Sequence, residues 1–239
     1  MPADHFQQRE HGTSPAEGET LRDLYRSEYV SRFPQEPGRR LLRLAPLFDL
    51  PPGARVVDLA CGNGLLLDLL HERVAEYVGV DFSSEFIAAA EERAARRGLV
   101  KGHFVCSDLE ELLRSRPDSF DAAFALDFAE HIDDGDFARI FRAARAALRP
   151  AAPLYLHTPN LDFVVERLKA RGILQQFPEH IAVRDAARTT ALLEECGFRR
   201  IQVRFLSHYN PVLRPLHLLS RLPWIGRAFR ARLFIVARR

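Results

Sequence analysis

The 239-residue chain is poor in lysine, cysteine, methionine and tryptophan. Of its 34 basic residues only Lys101 and Lys169 are lysines, a bias that a GC-rich genome is enough to produce. Three cysteines, Cys61, Cys106 and Cys196, lie far apart with no C-x-x-C spacing. That argues against a disulfide framework or structural zinc site, and a reducing cytoplasm is the expected compartment. No run approaches the roughly 20 apolar residues of a membrane span, and no charged-then-apolar leader opens the sequence. Acidic side chains are absent after Glu195, where 44 residues hold ten arginines, so the net charge of +2 hides a +10 tail on a −8 body. Such a tail suits an anionic substrate, a membrane surface or nucleic acid, or lies as a solvated basic face against the acidic body. The rest is ordinary globular composition, 47% hydrophobic and 28% charged, consistent with one core and a modest cap.

Residues 1–18 are polar and without hydrophobic period, the expectation for a flexible N-terminal arm ahead of a single domain over 19–239. Thr20 with Asp23 reads as a capping box, and Leu21, Tyr25, Tyr29 and Phe33 form an apolar helical stripe after it. From residue 54, β-rich runs alternate with helical ones. Strands are predicted at Arg55–Leu59, Tyr77–Phe82, His103–Ser107, Phe120–Leu126 and Leu154–Thr158, with helices over 64–74, 84–97, 109–115 and 134–148. Alternation of this kind gives parallel strands joined by crossover helices. Phe198–His208 and Ala231–Ala237 complete the set as an antiparallel pair at the sheet's edge. The predicted fold is therefore α/β, a doubly wound, mostly parallel seven-stranded sheet with an antiparallel edge strand and helices on both faces. Small cap or lid inserts are expected at about 161–183 and 210–230. In the second, Pro211, Pro215, Pro223 and Gly226 forbid one long helix and favour two short amphipathic turns.

The most informative stretch is Val56-Val57-Asp58-Leu59-Ala60-Cys61-Gly62-Asn63-Gly64, followed by a helical leucine run. A strand that turns through glycines into a helix lets a ligand approach backbone without meeting a Cβ and offers unpaired N–H donors. Seventeen residues after Gly64 the next strand ends at Asp81, where a carboxylate can accept from both hydroxyls of a ribose. Ser83 is placed to cap the following helix, and Asp108 follows the third strand. Three acids thus stand at three successive strand ends. A dinucleotide fingerprint would need a third glycine where Leu67 stands, and Asp58 would oppose a pyrophosphate. An ammonium group without phosphate suits Asp58, which favours S-adenosylmethionine over NAD.

These segments resemble the class I S-adenosylmethionine-dependent methyltransferases, within them the small-molecule group similar to ubiquinone-biosynthesis O-methyltransferases. The resemblance runs on through Val78-Gly79-Val80-Asp81-Phe82-Ser83, Ser107-Asp108-Leu109, Ala129-Glu130-His131-Ile132, Leu148-Arg149-Pro150, Thr158-Pro159-Asn160 and Glu179-His180, covering about residues 20–208. It implies that Asp58, Ala60, Cys61, Gly62 and Gly64 pass the methionine portion of the cofactor, and that Asp81 holds the ribose. Phe82 would flank the adenine, with Ser83 also among the cofactor-binding residues; Asp108 and Leu109 would address the adenine edge, and the backbone around Leu126 would touch the methionine amine. Ala60 departs from the pattern, which usually has glycine there.

Transfer of a methyl to a hydroxyl needs alignment, exclusion of water and a base, for which histidine is suited. Of nine histidines, three are candidates: His131 after the fourth strand, His157 at the end of the fifth, and His180 in the insert beyond Asn160. Asp127, Glu130 and His131 also form an oxygen and nitrogen set. The resemblance implies that a divalent cation there could polarise an acceptor oxygen, but short acidic runs are common at such places and no metal is assigned. The expected partner is a small-molecule acceptor that is lipid-, quinone-, sugar- or natural-product-like. The basic C-terminal segment is expected either to cap the edge strands or to touch an anionic membrane peripherally from the cytoplasmic side. A nucleic-acid methyltransferase is the alternative the tail suggests. Against it, Leu126-Asp127-Phe128-Ala129 is not the Asn/Asp-Pro-Pro-aromatic run of amino-group methylators, and no cysteine ends the fourth or fifth strand. A cofactor-binding regulator without catalysis is a further alternative, because no single base is fixed by the sequence.

Overall fold

The structure is a computed structural model that describes residues 33–34, 36–177 and 179–239. The expected arm over 1–18 and the helical stripe of Leu21, Tyr25 and Tyr29 lie outside the described residues. The described chain begins with α1 (Arg39–Leu44) and then alternates β1 (Ala54–Leu59), α2 (Leu65–Leu70), β2 (Val74–Asp81), α3 (Ser84–Arg97), β3 (Gly102–Cys106), α4 (Leu109–Arg114), β4 (Ala122–Leu126), α5 (Asp134–Ala147) and β5 (Pro153–Pro159). It continues through α6 (Val164–Ala170), α7 (Ala186–Glu195), β6 (Arg199–Leu206) and β7 (Arg232–Arg238).

The seven strands lie in the order β3-β2-β1-β4-β5-β7-β6. The pairings among β1 to β5 are parallel, and β7 runs antiparallel to both β5 and β6. The strand order reverses between β1 and β4, and open α/β sheets bind ligands beyond the C-terminal ends of such strands. Each central strand is apolar on both sides because both sheet faces are covered. Val57 and Leu59 of β1, Ala123 and Ala125 of β4, and Leu154 and Leu156 of β5 enter the core beneath α4, α5 and α7. Val56, Phe124 and Tyr155 alternate with them into the core beneath α1 and α2. One departure from expectation has a local cause. β4 starts at Ala122, not Phe120, because Asp121 breaks the ladder by accepting from the Arg55 N–H at 2.8 Å and from Arg149.

Helix boundaries follow their caps. Ser83 accepts from the Phe86 N–H at the start of α3, Asp133 from Asp136 at α5, and Asp185 from Arg188 at α7. α3 ends where Gly98 takes the left-handed conformation. No helix among the described residues is long and apolar enough to cross a membrane.

Candidate functional site

β1 ends in a turn whose backbone is left-handed at Ala60, Gly62 and Gly64, with φ of 55°, 53° and 73°. Gly64 is required twice over. Besides its φ, a Cβ there would stand 2.6 Å from the Phe104 ring. Ala60 holds a conformation that glycine adopts freely, which explains physically why alanine is the exception at this place. Cys61 is half-buried in the turn, and its N–H bonds the Val80 carbonyl at 3.0 Å.

At the end of β2 the Asp81 carboxylate accepts from the Gly62 N–H and the Ser83 N–H, each at 3.0 Å. The Phe82 backbone adds to these bonds, and a carboxylate with roughly four lone-pair positions still has acceptor capacity left. Burial raises its pKa against those N–H bonds, and no cation pairs with it among the described residues. Asp58, at the end of β1, is buried too and accepts from the Tyr77 hydroxyl at 2.5 Å. Burial pushes its pKa up to about 7; Asp81 adds to this, while Tyr77 and Arg40 oppose it. Two buried, under-compensated carboxylates beside a glycine turn fit a ligand carrying vicinal hydroxyls and positive charge. Phe82 is 41% exposed next to Asp81 and offers a ring to a flat heterocycle. Asp108 is exposed and caps α4, one oxygen accepting from the Glu110 and Glu111 N–H groups; Leu109 behind it is buried, and Leu126 is half-buried at the end of β4.

The second half of the site is built where β4 and β5 end. Asp127, with φ of 55°, accepts from His157 Nδ1 at 2.9 Å and Arg232 at 3.1 Å, and also pairs with Arg40. Burial alone would raise its pKa, but these three groups outweigh it and hold the carboxyl well below the usual range. Glu130 is fully buried and accepts from the Thr158 hydroxyl at 3.0 Å. Burial and the neighbouring Asp127 push its pKa up to about 8. His157 is buried, and desolvation lowers its pKa despite the Asp127 contact.

His131 lies on a 3-10 turn, Ala129–His131, directly after β4. Its Nδ1 stands 2.8 Å from the Glu179 carbonyl, which only an N–H can satisfy. A neutral ring that donates from Nδ1 to this carbonyl has Nε2 as its acceptor nitrogen, and the Asp127 backbone is a second partner of the side chain. Burial lowers its pKa and favours that neutral form. The ring of His180 sits 5.0 Å away, edge-on, with its own pKa pushed down to about 3 by burial and by the His131 charge. The expected trio of Asp127, Glu130 and His131 is thus not what the fold assembles. Asp127 is occupied by Arg40, Arg232 and His157, and His180 joins Glu130 and His131 instead. One ligand atom from each of these three lies within 4.8 Å of the others, a group among the described residues with the spacing to hold a metal ion.

Three residues that matter here were not singled out in the sequence as site residues. Arg184 is buried; it donates to the carbonyls of Ala129, Ile132 and Ala182 and pairs with Asp134. With the Ala182 N–H on the Glu130 carbonyl at 3.0 Å, it fastens the segment around His180 onto the His131 turn. Arg40 and Arg232 neutralise Asp127. Their partners lie 50 to 105 residues away or are backbone carbonyls, and neither leaves a spacing signal.

Residues 56–151 match a protein family described as methyltransferase domain. A ubiquinone biosynthesis O-methyltransferase of Xanthomonas campestris pv. campestris is 33% identical over 109 residues, 46% of this chain and 44% of the relative. One from Hahella chejuensis is 26% identical over 174 residues, 70% of this chain and 71% of that one. The stretch matched at the higher identity spans less than half the length of those relatives. Among solved structures, a SAM-dependent methyltransferase from Archaeoglobus fulgidus has a TM-score of 0.65 at 22% identity and covers 84% of this chain and 91% of its own. A Haemonchus contortus phosphoethanolamine N-methyltransferase 2, solved with phosphomonomethylethanolamine and S-adenosylhomocysteine, has a TM-score of 0.65 at 18% identity over 84% of this chain and 52% of its own. Residues 56–151 are thus similar to a methyltransferase domain, and the described chain shares the fold of S-adenosylmethionine-dependent methyltransferases.

Proposed function

We propose that the protein methylates a hydroxyl of a small acceptor of lipid-, quinone-, sugar- or natural-product-like type, with His131 as the base. The observation that carries this reading is the Nδ1 contact of His131 with the Glu179 carbonyl. It supports a neutral imidazole protonated on Nδ1, whose Nε2 would take the proton, at the same C-terminal edge of the sheet as the Asp58 and Asp81 carboxylates. S-adenosylmethionine, when bound, supplies a methyl group on a sulfonium leaving group. Asp81 has acceptor capacity left for ribose hydroxyls, and Asp58, once ionised, balances the ligand's positive charge. Phe82 offers its face to the adenine, with Ser83, Asp108 and Leu109 along its edge, and Leu126 borders the methionine end with Ala60, Cys61, Gly62 and Gly64. His157 orients Asp127, and His180 closes the acceptor side. The names of the curated relatives favour oxygen as the acceptor atom. A base positioned this way contributes about 10²–10⁴-fold to such a reaction.

The test is incubation with methyl-labelled S-adenosylmethionine and an extract of the source cells, separated into organic, aqueous and acid-precipitable fractions. Label in the organic or aqueous fraction supports a small acceptor and identifies its class. Label confined to precipitable nucleic acid replaces this reading with that of a nucleic-acid methyltransferase, and no label anywhere despite S-adenosylhomocysteine binding replaces it with a regulator.

A further inference from the structure

The excursion between β6 and β7 is absorbed by neither the cofactor cradle nor the His131 turn. It leaves the sheet after Leu206 and rejoins it at Arg232. β6 runs parallel to β5, because β7 is antiparallel to both, so the excursion rises from the same edge as the candidate site. Its base is fastened there. Asn160, just past β5, donates to the Arg230 carbonyl at 2.7 Å and to the Ala231 carbonyl at 3.1 Å. Arg227 reaches Asp162 at 2.5 Å and Asp185 at 3.5 Å, and Arg230 lies over the Phe205 ring.

The outer part is two 3-10 turns, Arg214–Arg221 and Gly226–Phe229, locked against each other. The Gly226 N–H bonds the Leu222 carbonyl at 3.0 Å, and a Cβ on Gly226 would stand 2.4 Å from the Ser220 carbonyl oxygen. A hairpin built this tightly still buries little apolar surface. Trp224 is 99% exposed, Val212 81%, Leu218 73% and Ile225 54%. Trp224 also holds a φ of 70°, an unusual conformation for a bulky residue. Apolar side chains concentrated on one small unit mark an interaction surface, unlike singly scattered ones. Arg214 and Arg221 bracket the first turn, have no carboxylate partner among the described residues, and belong to a tail with no acidic side chain.

We propose that this hairpin, residues 207–231, seats the protein on an anionic bilayer, with Trp224 and its apolar neighbours at headgroup depth and Arg214 and Arg221 supplying electrostatic attraction. Tryptophan favours that interface because its ring is apolar and its N–H needs a wet partner. Charge of one sign beside exposed apolar residues is the composition of an interfacial element. Docking this way turns the candidate site's edge toward the membrane. The inference stands independently of methyl transfer, since it concerns surface the reaction does not use.

Trp224 is the chain's single tryptophan, so the unaltered protein carries its own reporter. Its emission is recorded with vesicles of phosphatidylcholine alone and of phosphatidylcholine with phosphatidylglycerol, in parallel with co-sedimentation and without S-adenosylmethionine. A blue shift on the anionic vesicles, quenched by acyl-brominated lipid and weakened by salt, is the expected result. Arg214→Gln with Arg221→Gln should lower vesicle affinity by about 25-fold, near fivefold for each charge at the surface. Trp224→Ser should abolish most co-sedimentation while leaving the thermal melt unchanged. Emission and sedimentation that ignore anionic vesicles overturn the proposal. So does a blue shift that grows with protein concentration in the absence of lipid, which would make a second copy the occupant, or one produced by RNA in place of vesicles.

Discussion

Replacing Asp127 by asparagine tests how the edge bearing the candidate site is held together. The side chain is 12% exposed, and it answers three positive or proton-donating groups: Arg40, Arg232, itself 9% exposed, and His157 at 3%. Asparagine keeps an acceptor of the same shape but leaves the Arg232 guanidinium buried without its counter-charge. Breaking a buried pair from one side costs about 3–5 kcal/mol. The lower end is expected, because Glu130 is near both groups. Freed of Asp127's repulsion, its carboxyl ionises more readily and partly replaces the lost charge. A loss of about 3 kcal/mol corresponds to a urea midpoint lower by about 1 M for a chain of this size. Asp127→Asn combined with Arg232→Met should recover much of the loss, because the unpaired charge is then gone. The pH dependence has a definite sign. Asp127's folded pKa is depressed, so its stabilisation is present above the unfolded carboxylate pKa and fades only as pH falls below about 4. Urea melts in which the single variant moves by less than about 0.2 M would refute the reasoning, as would a double variant no more stable than the single one.

Four further outcomes follow from the site. Asp81→Ala should weaken S-adenosylhomocysteine binding about 100-fold or more by calorimetry, since hydrogen bonds to a charged group are worth about 1.5–3 kcal/mol each; unchanged affinity would remove the ribose assignment. His131→Gln should lower turnover by about 10²–10⁴-fold with little change in S-adenosylhomocysteine affinity; an unaltered rate would move the base elsewhere. S-adenosylhomocysteine affinity should rise with pH up to about 7, because the ligand's ammonium favours ionised Asp58 and binding releases its proton. Asp58→Asn should flatten that profile, and a wild-type profile already flat would place the ammonium away from Asp58. Ala60→Gly should raise the melting temperature by a few degrees, reflecting about 1 kcal/mol from relief of a left-handed alanine; a lower melting temperature would show that other contacts of the alanine methyl outweigh the strain.

The sequence by itself determined the strand and helix alternation, the glycine turn, and the acids that end β1 and β2. These are local properties: periodicity along a few residues, φ demands at Gly62 and Gly64, and caps such as Ser83 and Asp108 that satisfy N–H groups two or three residues away. It also determined the one-signed charge of the tail, which needs only counting. Tertiary structure alone decided which groups share the edge that bears the candidate site. Asp127, Glu130 and His131 are near neighbours in the chain, yet the Asp127 carboxylate is engaged by Arg40, His157 and Arg232. His180 and Arg184 arrive from an insert some 50 residues further on, held by backbone carbonyls that carry no residue identity. The exposure of Trp224 belongs to the same class. Pattern marked the segment as amphipathic, but only the packing of Gly226 against Ser220 settles that its tryptophan remains outside the core.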